Sequence, residues 1–370
     1  ILIRNADVYA PEHLGVNDIL IAGSSVELIA PSIDISLPGM EVIDAEGEMV
    51  HPGLIDGHVH AIGGGGEAGM ISRVPPLSES RIIEGGVTSV VGLLGTDGYT
   101  RTVRDLVAKI KGFREWGISA WALTGSYQVP SITLTGSVGD DITFIDEIIG
   151  VKVAVADHRC SFPTTDELIR LASEARLASL MSGKAGLVHI HVGGSELGIE
   201  QLFEIKDRCP IPLCHFYPTH MEGHMEQAFR WAGDGGHVDI TCHGDADEKA
   251  ASLLEQFPDQ ITLSTDSNGS FPKWNEDRSA IVGMGAGSIS ELMRYLDRLL
   301  SSGIDKSLAL SAVTSNPAKA MRLSRKGALR KGADADIVIR DGRRIRYVIA
   351  LGSVMLREGK AKKSMYDSAL

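Results

Sequence analysis

Cysteine is scarce in this chain. Cys160, Cys209, Cys214 and Cys242 are spread over 370 residues without a CxxC pair, which excludes a disulfide-dense scaffold and a thiolate-built zinc ribbon. Small buried hydrophobes are the ordinary role for such thiols. Basic residues are also in deficit: 36 Lys and Arg stand against 48 Asp and Glu, for a formal net charge of −12. Nucleic acid is not an expected partner, because binding it requires positive charge that displaces counterions. Long apolar runs are missing too. Gly or a charged residue interrupts each of them well short of the roughly 20 residues that cross a bilayer, so no membrane span is expected. No basic and apolar leader stands before the first strand-like segment, and with the sparse thiols this points to a reducing cytoplasm. The sequence opens at Ile1 without a Met, which leaves room for residues upstream.

What is present is ordinary globular composition, 43% hydrophobic and 23% charged, too balanced for disorder or a fibrous repeat. The length suits an α/β barrel with a small appendage. The N-terminal segment alternates short β-type runs with turns, in ILIRNADVYA, DILIAGSSVELIA and EVIDAEGEMV, and the C-terminal segment does the same in ADIVIRDG, RIRYVIALG and SVMLREGK. Period-two alternation of this kind reads as antiparallel strands with one buried face. Residues 1–49 and 329–370 are therefore expected to combine into one small β-sandwich domain, with residues 50–328 inserted between them.

Within the insertion the pattern becomes apolar strand, polar loop, amphipathic helix. Strands are predicted at 49–58, 87–95, 119–127, 150–157, 186–193, 212–220, 238–243 and 261–266. Helices fall between most of them; TTDELIRLASEARLASLMSG begins on acidic residues and stops at Gly, as helices do. Two further helices are predicted at 288–302 and 305–321. Strands alternating with helices in this way predict an α/β fold, a (β/α)8 TIM barrel, whose active site lies where the strands end.

The histidines matter in that frame. His58 and His60 form an HxH pair at the end of the first strand, where period-two geometry points both rings to one side. Taken alone, such a pair is unremarkable surface or core. His191 ends the fifth strand, however, His220 the sixth and Asp266 the eighth. Their convergence on one rim fits a metal centre of nitrogen and oxygen donors far better than five independent accidents. His189 should point inward one layer deeper and support the site without ligating. Lys152 lies in a continuous apolar strand, where an amine needs a partner or a depressed pKa.

These residues, with GADADIVI at 332–339, resemble the amidohydrolase superfamily. The segments HVHAIGGGGEAG, TSVVGLLGTD, ISAWALTGSYQVPS, IGVKVAVADHR, PTH and LSTDSNGS are similar more narrowly to the isoaspartyl dipeptidases, bacterial metallopeptidases that release β-aspartyl residues from dipeptides. The similarity runs across nearly the whole chain, and the Gly-rich GGGGEAG separates this group from dihydroorotases, hydantoinases and ureases. The resemblance implies a binuclear centre, with zinc favoured by the His-rich donors. His58, His60 and Asp266 would hold one ion and His191 and His220 the other, with Lys152, carbamylated by carbon dioxide, bridging the two. It implies a hydroxide between the ions as nucleophile, Tyr127 donating to the oxyanion, and Asp266 moving the proton to the leaving amine. Glu67 would pair with the substrate ammonium, Gly65 and Thr96 would hold the aspartyl end, and Arg159 and Ser270 would contact carboxylate. A homo-oligomer is the family expectation.

One position departs from the family. Where it carries an Arg three residues after the strand-six His, this chain has Gly223, followed by His224, which could take over the contact. The leading expectation is hydrolysis of isoaspartyl dipeptides. The alternative is an amidohydrolase acting on N-acyl amino acids or cyclic amides. A catalytically silent binding barrel would have lost ligands, and all six positions are filled.

Overall fold

The computed structural model describes residues 1–275, 277 and 281–365. Residues 276, 278–280 and 366–370, which fall in the expected barrel and C-terminal segments, lie outside the described residues.

Eight parallel strands form the barrel: strand 1, Leu54–Val59; strand 2, Val87–Gly92; strand 3, Ser119–Gly125; strand 4, Ile148–Val155; strand 5, Leu187–Val192; strand 6, Phe216–Thr219; strand 7, Val238–Thr241; and strand 8, Ile261–Ser264. Strands 1 to 6 are hydrogen-bonded in sequence order, and strands 7 and 8 pair with each other. Contacts between strands 6 and 7 and between strands 8 and 1, with a Val59–Ser267 bridge, complete the ring. The predicted strand at 49–58 is in fact two. Met49–Pro52 pairs with Ile337–Asp341 outside the barrel, and the chain turns at Gly53 before strand 1 begins. A Cβ at Gly53 would lie 2.2 Å from the Thr88 hydroxyl, so the close passage between the two strands needs glycine.

The helix Thr165–Ser182 follows from local chemistry. Thr164 and Glu167 make reciprocal capping-box bonds, and Gly183 ends the helix in the left-handed conformation. The predicted helix at 305–321 forms as two, Lys306–Ser311 and Ser315–Ala320.

Strands from both ends of the chain share a nine-stranded sheet, stitched where Met49–Pro52 lies between Leu2–Tyr9 and Ile337–Asp341. Ile3, Val8, Ile19, Ile21, Val50, Ile337, Ile339 and Ile349 give it an apolar core of its own. The larger core lies between barrel strands and helices. Among the described residues no helix is long and apolar enough to cross a membrane.

Candidate active site

Because every barrel strand runs the same way, the C-terminal ends gather on one rim. His58 lies in strand 1 and His60 just beyond it. His220 and Asp266 follow strands 6 and 8 in left-handed backbone conformations, φ 66° and 50°, which re-aim their side chains at the cost of local strain. Lys152 sits within strand 4, opposite His189 of strand 5.

Asp266 is the focus. Its Oδ1 lies 3.2 Å from His58 Nε2 and 2.9 Å from His60 Nε2, without an aligned hydrogen bond, and the three side chains form a group able to hold a metal ion. The two imidazoles keep the carboxyl group far below its usual range despite its burial. His58 Nδ1 meets His189 Nε2 at 3.1 Å, and His189 stacks on Tyr217 with ring centroids 5.0 Å apart. His189 thus fixes the ring of His58 from below.

The rings of His191 and His220 are 4.5 Å apart, and that of His220 is 5.2 Å from His58. His220 Nδ1 is 2.7 Å from the Thr241 hydroxyl. His191 is engaged at both nitrogens: Nε2 lies 2.9 Å from Asp157 Oδ2, and Nδ1 is 2.7 Å from the Tyr127 hydroxyl. It therefore stands beside the His58–His60–Asp266 group, not in it.

Lys152 is fully buried, and its Nζ has no hydrogen-bond partner among the described residues. Burial brings its pKa down to about 7. An amine stranded below histidines and a carboxylate is the mark of a group completed by something else. The donors fit divalent ions of borderline softness, with imidazole nitrogens and a hard carboxylate around one buried point.

Beside this cluster, Glu67 Oε1 accepts from Thr96 Oγ1 at 2.8 Å, Ser270 Oγ at 2.9 Å and Arg159 Nη1 at 3.3 Å. Its Oε2 is buried without a partner among the described residues. Four of the five expected substrate residues are thus brought together. Gly65 is close by in sequence, but its carbonyl accepts from Arg101 at 3.1 Å. With φ +75° and the Ser72 carbonyl 2.4 Å from where a Cβ would be, glycine is required there.

Sequence reasoning missed Asp157 and Arg101. Buried Arg101 clamps the Gly-rich loop through the carbonyls of Ile62, Gly64 and Gly65 and through Asp97; nothing in the sequence marks it. Asp157 had a usable signal, since it follows strand 4 two residues before Arg159. Gly223 is exposed, and a Cβ there would meet nothing within 4 Å. The His224 ring is turned to the Gly193 carbonyl, to which Nε2 donates at 2.8 Å.

The fold and this cluster define a hydrolase of a metal-dependent class. Residues 247–365 match the amidohydrolase family. A β-aspartyl dipeptidase from Fervidobacterium islandicum, solved with β-Asp-Leu, superposes with a TM-score of 0.93 at 38% identity, over 99% of each chain. A D-hydantoinase shares the fold at TM-score 0.70 and 16% identity, over 97% of this chain and 96% of that one. A curated dihydroorotase of Staphylococcus aureus is 27% identical over 241 residues, 60% of this chain and 54% of that protein, so the match spans about half the length of such relatives. The chain belongs to the amidohydrolase superfamily and, within it, to the β-aspartyl dipeptidase family.

Proposed function

We propose that this chain hydrolyses the β-aspartyl bond of isoaspartyl dipeptides. The observation that carries the reading is the pair of fixed charges, Glu67 and Arg159, 3.3 Å apart beside the histidine cluster. An isoaspartyl dipeptide carries one ammonium and two carboxylates. The unpartnered Oε2 of Glu67 suits the ammonium, with Thr96 and the Gly65 loop around the aspartyl end, and Arg159 with Ser270 suits a carboxylate. The likeness to a dipeptidase solved with β-Asp-Leu supports it.

His58, His60 and Asp266 would hold one ion and His191 and His220 the other, with zinc the metal we infer from the donor set. Bound there, the ions would polarise the scissile carbonyl and bring a water's pKa toward about 7. The chain's own groups do the rest. With its pKa brought to about 7, Lys152 has a neutral fraction at neutral pH. Its amine adds to carbon dioxide, forming an N–C bond and releasing a proton. The resulting carbamate offers two anionic oxygens where an ammonium would repel a cation. The Tyr127 hydroxyl donates to the carbonyl oxygen as charge develops there. The Asp266 carboxylate, charged at neutral pH, takes the water's proton and delivers it to the leaving nitrogen. Four free thiols suit the cytoplasmic location we infer, and assembly as a homo-oligomer is the family expectation.

The second reading, an amidohydrolase for N-acyl amino acids or cyclic amides, is favoured by Gly223, which presents no cation to a second carboxylate. The test is hydrolysis of β-Asp-Leu, α-Asp-Leu, N-acetyl-leucine and dihydroorotate by zinc-loaded protein supplied with bicarbonate. Selective cleavage of β-Asp-Leu, lost on chelation, is expected. Turnover of the acyl amino acid or cyclic amide alone would replace the first reading by the second.

A further inference from the structure

Asp157 belongs to neither the expected ligands nor the expected substrate contacts, yet it touches both. It is 6% exposed. Its Oδ2 accepts from His191 Nε2 at 2.9 Å and from Arg159 Nη2 at 2.7 Å, while Oδ1 accepts from Arg159 Nε at 2.9 Å and from the Arg159 backbone N–H at 2.8 Å. The guanidinium is thus held by both carboxylate oxygens, and its remaining arm reaches Glu67. One uninterrupted chain of polar contacts runs from Tyr127 through His191, Asp157 and Arg159 to Glu67.

We propose that Asp157 is a positioning residue that selects the tautomer of His191 and, through the same carboxylate, the orientation of Arg159. A carboxylate can only accept, so His191 must carry its proton on Nε2. That leaves a lone pair on Nδ1, which meets the Tyr127 hydroxyl at 2.7 Å here and which a bound ion would take in its place. With the proton on Nδ1 instead, the ring would offer the cluster a donor and could not ligate through that atom. A carboxylate behind a ligating histidine commonly sets its orientation and basicity in this way. Here the carboxylate also holds the cation that faces Glu67, so ligand geometry and substrate charge recognition have one support. The inference rests on the proposed metal site; its substrate arm rests also on the proposed activity.

The test uses the full chain. Zinc affinity is measured by competition with a chelator and metal analysis, and kcat and KM on β-Asp-Leu, for the wild type, Asp157→Asn and Arg159→Lys. For Asp157→Asn the expected result is roughly 10- to 100-fold weaker binding of one of the two ions together with a raised KM. Arg159→Lys should raise KM with both ions held as in the wild type. Wild-type affinity for both ions in Asp157→Asn would overturn the proposal. Should that variant fail to fold, 15N NMR of the metal-free wild type decides, with His191→Gln to assign the ring: an Nε2–H tautomer supports the proposal and an Nδ1–H tautomer overturns it. If the metal and NMR results hold but no β-aspartyl peptide is cleaved, the substrate reading fails and the role of Asp157 toward His191 stands.

Discussion

The hydroxyl of Tyr127 lies 2.7 Å from Nδ1 of His191, the ring nitrogen that Asp157 does not engage. This places the phenol beside the histidine cluster, and burial raises its pKa well above the ordinary value, so it keeps its proton as a donor. Tyr127→Phe should therefore lower kcat about 100- to 1000-fold, the scale for one oxyanion donor, with zinc content unchanged. Steady-state kinetics with metal analysis check this; loss of zinc would instead make Tyr127 a support for His191.

Unmodified, Lys152 is a liability. Its buried amine has no partner among the described residues, and an unsatisfied buried polar group costs about 1–3 kcal/mol. Lys152→Met, similar in volume, should stabilise the metal-free chain by about that amount while abolishing activity. Urea unfolding after chelation, beside the dipeptide assay, checks both halves. Reloading the wild type with zinc should require bicarbonate.

Gly223 has room. With nothing within 4 Å of a Cβ there, Gly223→Arg should fold normally. A guanidinium reaching a substrate carboxylate, a charge-assisted bond of about 1.5–3 kcal/mol, should lower KM for β-Asp-Leu roughly 10-fold or more. An unchanged KM would mean that the leaving residue's carboxylate does not face this loop.

His51 links stability to pH. The ring is buried, with Nδ1 donating to the Pro52 carbonyl at 2.8 Å and Nε2 unpartnered. Burial, then the charge of Arg340, lower its pKa to about 3 from 6.5. Between these values the unfolded chain binds the proton and the folded ring does not. This contribution is therefore full above about pH 6.5 and declines as pH falls toward 3. By pH 5 about 2 kcal/mol of it has been lost. His51→Gln should lose about 2 kcal/mol less than the wild type between pH 8 and pH 5 in denaturant unfolding; parallel losses would refute the assignment.

Much of the architecture was legible because barrel strands and their helices impose different periods on the sequence, and the segment ending at Gly183 even carries its own cap signals. The division of 49–58 into two strands was not read from the sequence, although the Pro52–Gly53 dipeptide is a turn signal at the point of division; the pairing of Met49–Pro52 with Ile337–Asp341 separates it from strand 1. At the site, His58, His60, His220 and Asp266 could be placed because each stands at or just past a strand end. The role of Arg101 could not, because its carbonyl partners lie more than 25 residues away in sequence and carry no side-chain signature.

The sequence by itself determined which chemistry is available: four histidines and an aspartate at strand ends, a lysine in an apolar strand, and a Gly-rich loop bearing a glutamate. Those are properties of residue type and spacing. Only the tertiary structure decided how the groups are connected. That His191 is held by Asp157 and Tyr127, that Glu67 collects Thr96, Ser270 and Arg159, and that His224 turns to a carbonyl while Gly223 faces open space all depend on contacts between segments far apart in the chain. Such contacts are set by closure of the barrel, which brings every strand end to one rim, and no local pattern encodes them.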